Sequence, residues 1–317
     1  MEFLVNDLSM HGQFHDLTSF QRAVARIMMI RQRIRQHGYE LACHKNLQSS
    51  QVTSNLVMLQ AVGAMTRPAR RAWLQWLTRQ GPFWEDTRLH DGSDWLEVNG
   101  AIVTDSAVGE AAICVSRGLP RDLVSFEPSS WSVSPIAVSW IRDDGSTDAI
   151  SVRNHWLTSS IDETLEAHPK PAASWEDLAT RVTTQCSRLS FAEDAFTSLR
   201  GQPFAPGAAA RIRILLNTLD RSKGCSAEDG SRTIEGHRIY QDHFTGDKAW
   251  FSDSSDTEKR DFEDELTFKH PNEPSKALFC PLHGKVKTPQ YRIHFSWPIT
   301  ANDPLYVVYV GPKLTKR

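Results

Sequence analysis

The chain has 317 residues, 36 Lys plus Arg against 38 Asp plus Glu, with 40% hydrophobic and 23% charged residues. That is an ordinary globular composition, with length for about two domains. It excludes a wholly disordered polymer, a collagen-like repeat and a bundle of membrane helices.

The opening MEFLVNDLSM lacks a basic segment, and its apolar run stops at Asn6 and Asp7, so it does not read as a signal peptide. Every apolar stretch falls far short of the ~18 residues a membrane span needs, so no membrane association is expected. The five cysteines, Cys43, Cys114, Cys186, Cys225 and Cys280, are odd in number and widely spaced. This pattern suits reduced thiols in a cytoplasm rather than a disulfide framework. Cys280 and His283 have a C-x-x-H spacing, but a structural zinc site needs a second pair nearby.

In chain order, residues 2–8 read as a strand. A helix follows, with Leu17, Phe20, Val24, Ile27, Met28 and Ile34 on one face, a capping box at Thr18 and Gln21, and a stop at Gly38. A short strand at 39–43, a helix over 68–80 ending at Gly81-Pro82, a helix over 105–117 and a strand at 122–126 come next. The alternation predicts an α/β layer region over 1–153. A hairpin turning at Asp143-Asp144-Gly145 closes it. Trp73 and Trp76, three apart on one helix, read as core. Residues 154–222 read as a helical section, with capping-box starts at Ser160, Ser174 and Ser190. A polar stretch over 222–236 reads as a linker or long loop. The last part, 237–317, reads as a basic α+β domain: a strand at 238–244, a helix at 255–266, and strands at 277–287, 291–297 and 305–310. The fold class is therefore α/β (α+β), ending in a small antiparallel sheet with one helix.

The near-neutral total hides local imbalance. Residues 226–273 carry 13 acids and 6 bases, whereas 281–317 carry Lys285, Lys287, Arg292, Lys313, Lys316 and Arg317 against Asp303 alone. The first 88 residues hold ten Arg and one Lys against six acids. Such basic blocks can bind phosphate without the whole chain being basic. In a strand over 291–297, Tyr291, Ile293, Phe295 and Trp297 share one face, and Arg292, His294 and Ser296 the other. One sheet face could thus gather His283, Lys285, Lys287, Arg292 and His294. Histidines placed for proton transfer beside cations on a phosphate would cleave RNA without metal. The same cluster would equally hold a phosphate backbone uncut.

The strand–helix–three-strand order of 238–311, with Tyr291-Arg292-Ile293 opening a strand before a basic tail, resembles the RelE/HigB group of bacterial ribonuclease toxins. The resemblance implies that Lys285, Lys287 and Arg292 hold phosphate, with His283 or His294 moving protons, while Tyr291 and the tail cations Lys313, Lys316 and Arg317 are expected to join the nucleic-acid surface. A second set of residues points elsewhere. Asp7 follows the first strand, Asp105 and Glu110 lie at the start of a helix, and Glu127 follows a strand. Carboxylates gathered at strand ends can hold Mg²⁺ or Mn²⁺ for phosphodiester hydrolysis. This arrangement resembles the PIN-domain nucleases. Without that site no cofactor is expected.

No Walker A loop, G-x-G-x-x-G, G-x-S-x-G or H-E-x-x-H motif occurs. The sequence therefore suggests a protein acting on RNA or DNA. One reading is a ribonuclease-like toxin or bacterial defence effector. The other is a non-catalytic subunit binding nucleic acid or a protein within a larger complex.

Overall fold

The computed structural model describes residues 2–90, 92–168, 170–227, 231–246, 249–273, 275–287 and 289–315, with Thr87 only in its backbone. They fall into two units, Met1–Lys170 and Pro171–Arg317, in a mixed α/β (α+β) class. Among the described residues no helix is long and apolar enough to cross a membrane.

The first unit is built on a parallel sheet. Strands β1 (Glu2–Val5), β2 (Leu41–Ala42), β5 (Arg121–Val124) and β8 (Asn154–His155) lie in the order β2-β1-β5-β8. Alternation divides their side chains between two cores. Phe3, Val5 and Val124 join a cluster with helices α1 (Leu17–Gln36) and α5 (Thr158–Ala167), while Leu4 and Leu123 face helix α4 (Ala107–Ser116). The short helix α2 (Met58–Ala61) adds Met58 and Ala61 to the first cluster, and helix α3 (Arg67–Gln75) and the wide turn after it bury Trp73 and Trp76 there, as their spacing predicts. A second, antiparallel sheet covers α4. It comprises β3 (Trp95–Val98), β4 (Ala101–Ile102), β6 (Ile136–Ile141) and β7 (Thr147–Val152), ordered β4-β3-β6-β7.

Helix α4 is thus covered on both sides, which explains why AVGEAAIC is apolar nearly all round. At Gly109 a Cβ would lie 2.6 Å from the carbonyl oxygens of Val103 and Thr104, so only glycine fits. Glu110 is the charge in this helix, and it is fully buried. Its carboxylate accepts the Leu89 amide at 3.1 Å, the His90 amide at 3.3 Å, the His90 ring Nδ1–H and the Arg121 guanidinium. Arg121 in turn reaches Glu2 at 2.6 Å. Burial alone would raise the Glu110 carboxyl, but the bond from His90 and the charge of Arg121 outweigh it and hold the group at about 2.

The second unit centres on β10 (Phe251–Ser252), β13 (His283–Val286), β14 (Tyr291–Phe295), β15 (Leu305–Pro312) and β9 (Leu189–Phe191), ordered β10-β13-β14-β15-β9. Only β9 runs parallel to its neighbour. One face carries Tyr291, Ile293 and Phe295. Tyr291 meets Trp175 of α6 (Trp175–Gln185) edge-on at 5.6 Å, and Leu215 of α7 (Pro206–Gly224) approaches Gly284. Above the other face, the hairpin β11 (Thr267–Lys269) and β12 (Ala277–Phe279) places Phe268 and Leu278 against Cys280, Tyr306 and Val308.

Several expectations change. The helical section expected over 154–222 is divided, with α5 packed in the first unit's core and α6 and α7 in the second unit. Asp16, not Thr18, caps α1 by accepting the Ser19 amide at 2.7 Å. Ser174 does cap α6, but Ser160 lies inside the first turn of α5 and Ser190 lies in a strand. The expected strand over 238–244 is helix α8 (Ile234–Phe244). There Ile239 and His243 bury one face, and Tyr240 stacks on Phe244 four residues on, contacts that a strand cannot make. The expected linker is helical at both ends, with 222–224 in α7 and 234–236 in α8, and its residues 228–230 lie outside the described residues. The helix expected over 255–266 is the shorter α9 (Asp256–Asp261).

Removing one partner of a buried ion pair costs about 3–5 kcal/mol because the other charge stays stranded. Glu110→Gln should therefore lower stability by that amount in chemical denaturation, whereas Asp105→Asn should change it by less than about 1 kcal/mol. A Glu110→Gln protein as stable as the parent would contradict the role of this network.

Candidate nucleic-acid interface

The register of the second sheet decides which C-terminal residues meet. His283 lies opposite His294 and Lys285 opposite Arg292 across β13 and β14. All four project from one face, the one away from Tyr291 and Ile293. The two imidazoles stand 5.4 Å apart between ring centres. A register shift at His294/Phe295 sets Tyr309 opposite His294, so Tyr309 joins this face, 5.8 Å from the His294 ring. Strict alternation along β15 would have sent it to the other side with Val307. The bulge left no mark in the sequence pattern. Glu258 of α9 faces the same group and lowers the energy of the charged Arg292, His283 and His294.

Both histidines are held neutral. Burial, only partly offset by contacts with backbone carbonyls, pushes each down to about 4. His294 Nδ1 lies 2.8 Å from the Cys280 carbonyl and His283 Nδ1 lies 3.2 Å from the Pro281 carbonyl. A carbonyl oxygen only accepts, so Nδ1 carries the hydrogen and Nε2 keeps its lone pair. At neutral pH each ring keeps an open lone pair but resists the proton, and neither has an extra proton to give. This is half of what metal-free RNA cleavage requires.

The cations show the opposite strain. Burial presses the Lys285 ammonium toward its neutral form, helped by repulsion from Arg292 and Lys287, and burial presses the Arg292 guanidinium the same way, partly offset by Glu258. Arg292 donates from Nη1 to the carbonyls of Tyr291 and Val286 at 2.9 and 3.2 Å, and among the described residues its buried Nε has no hydrogen-bond partner. Among the described residues no acid within 4 Å pairs with Lys285, Lys287 or Arg292. Lys313 does pair, with Glu258 at 2.9 Å, and Thr315 donates to the same carboxylate at 2.7 Å. These bonds hold Glu258 at about 2. Lys313 is therefore neutralised within the fold. Lys287 is exposed beside Lys285. Tyr291 is core, 4% exposed, and is not available to a base. Lys316 and Arg317 lie outside the described residues.

The four acids of the first unit do not converge. Asp7 caps α4 by accepting the Ala107 amide at 2.8 Å, and burial raises its carboxyl. Glu127 pairs with Arg26 near the same, carboxyl, edge of the parallel sheet. Glu110 is tied through Arg121 and Glu2 to the amino edge, because those residues open β5 and β1. Asp105 is exposed and pairs with Arg88 at 2.7 Å. Among the described residues no group of three or more His, Cys, Asp or Glu is arranged to hold a metal. The divalent-metal set read from the sequence is thus not assembled. Cys280 and His283 belong to no such group, and burial pushes the Cys280 thiol up to about 12. Comparison of the chain with family models, with curated proteins and with solved structures gave no match.

Neutral burial of two histidines has a consequence in acid. The unfolded chain protonates them near the ordinary imidazole value of about 6.5, whereas the folded sheet resists until about 4. Their contribution to stability is complete above the higher value and is lost as pH falls through the lower one. Urea unfolding should show this loss, up to about 3 kcal/mol per histidine. His283→Gln and His294→Gln should flatten that part of the profile. An unaltered slope in both variants would contradict their neutral burial.

Proposed function

We propose that the protein binds nucleic acid, with the phosphate backbone held at the Lys285–Arg292 pair of the second unit. One observation carries this reading: among the described residues, two adjacent, partly desolvated cations form no ion pair within 4 Å, and one of them retains an unpartnered N–H. A phosphate oxygen would relieve the mutual repulsion and satisfy the guanidinium. Exposed Lys287 extends the positive edge. In the first unit, Arg67, Arg71 and Arg79 are exposed along α3 and the turn after it, without an acidic partner among the described residues. They favour the same class of ligand.

The alternative is metal-free ribonuclease action, and the lone-pair-bearing histidine pair favours a base there. Its missing acid makes binding the better supported activity. An anion docked beside the imidazoles would itself raise their affinity for protons, and such a change could supply the acid.

Fluorescence anisotropy with labelled single-stranded RNA and DNA over a salt series tests both readings. Arg292→Ala and Lys285→Ala should each weaken binding about tenfold at low salt and reduce the salt slope by about one phosphate contact, ~0.7 for a single strand. Salt-insensitive binding, or none, would overturn the proposal. Cutting in EDTA that disappears in His294→Ala would move the ribonuclease reading to first place.

A further inference from the structure

Three residues far apart in the first unit's sequence form a hydrogen-bonded line that the nucleic-acid reading does not use. His155, the last residue of β8, places Nε2 3.0 Å from Asp122 Oδ2 on the neighbouring strand β5 and Nδ1 3.1 Å from Ser160 Oγ in the first turn of α5. Asp122 is 5% exposed and His155 2% exposed, so both lie in a low-dielectric setting. The carboxylate can only accept, which puts the ring hydrogen on Nε2 and leaves the Nδ1 lone pair facing the serine hydroxyl. Ser160 Oγ also lies 3.0 Å from the Leu157 carbonyl, so its hydrogen has two acceptors within reach. Arg153 stands 3.6 Å from the same Asp122 oxygen.

The line ends at open space. Ser160 and His155 line a cavity of about 390 Å³ with Arg153, Trp156, Leu157 and Glu163. Ser160 is partly exposed, and the first-turn amides of α5 lack intrahelical acceptors and carry the positive end of the helix dipole. Acid, imidazole and serine are ordered as in nucleophilic acyl transfer, with the two ring nitrogens exchanged relative to the commonest arrangement.

The geometry points to Ser160 as a nucleophile for carboxylic-ester substrates, with His155 as its base and Asp122 as the positioning residue. Ser160 Oγ adds to the ester carbonyl carbon while its proton passes to His155 Nδ1. The bond to the leaving oxygen then breaks, and that oxygen takes the proton, leaving an acyl-serine. Water adds to the acyl carbon and gives its proton to His155. The C–Oγ bond breaks, the serine oxygen recovers that proton, and the carboxylic acid departs. Arg153 at the cavity lip favours esters bearing an anionic group. The inference is independent of nucleic-acid binding.

A fluorophosphonate probe tests it on the full chain. Labelling forms the Oγ–P bond, breaks P–F and releases fluoride with the serine proton. Peptide mass spectrometry should place the adduct on Ser160, with Ser159→Ala labelling like the parent. Ser160→Ala should abolish labelling, and His155→Gln should slow it at least a hundredfold. Asp122→Asn, the closest in shape, should move the pH–rate midpoint downward while its melting temperature stays near the parent's, a change that loss of packing would not give. No adduct, an adduct elsewhere, or a Ser160 adduct formed at the parental rate in both His155→Gln and Asp122→Asn would overturn the inference.

Discussion

A charge withdrawn from water must be met by an opposite charge, or its burial costs several kcal/mol. The two units handle that constraint in opposite ways. In the first, Arg121 is enclosed by Glu2 and Glu110, His90 completes the shell, and helix α4 is fixed between its two sheets. In the second, Lys285 and Arg292 stand side by side with no such closure, and the nearby carboxylate of Glu258 is committed to Lys313 and Thr315. The first arrangement is complete within the chain. The second is incomplete, and that incompleteness is the physical basis for assigning an anionic ligand to it.

The histidine pair belongs to the same balance. His283 and His294 lie beside the two cations, so protonating them would add positive charge to a face that already lacks compensation. Burial and backbone carbonyls keep them neutral. An anion at Arg292 would change that preference, so occupancy and protonation of this face are linked. On the proposed reading, the sheet is a phosphate-responsive surface, whether or not a chemical step follows.

Much of this was legible in the sequence where periodicity and burial coincide. The alternation of Tyr291-Arg292-Ile293-His294-Phe295 correctly separated core from polar face, and the Trp73/Trp76 spacing correctly marked buried positions. Composition alone could not tell a buried tyrosine from a base-stacking one, and Tyr291 packs on Trp175. The acids of the first unit misled because their spacing along the chain says nothing about sheet edges. Asp7 and Glu127 follow strands, while Glu110 points to the opposite edge through Arg121. In 238–244 only Ile239, Tyr240 and Phe244 are apolar, too few to set a period, and the contact of Tyr240 with Phe244 four residues on makes it helix. Asp122, His155 and Ser160 carried no local motif, since parallel pairing of β5 and β8 brings them together. Nothing short of that pairing could have joined them.

The central claim, an anion site completed by a ligand, can be tested at the histidines themselves. Their imidazole resonances should be followed by NMR across pH, with the protein free and then saturated with a short single-stranded oligonucleotide. The account predicts midpoints near 4 in the free protein and an upward displacement of about one unit or more when phosphate sits beside Arg292. Midpoints unmoved by a saturating oligonucleotide would contradict it.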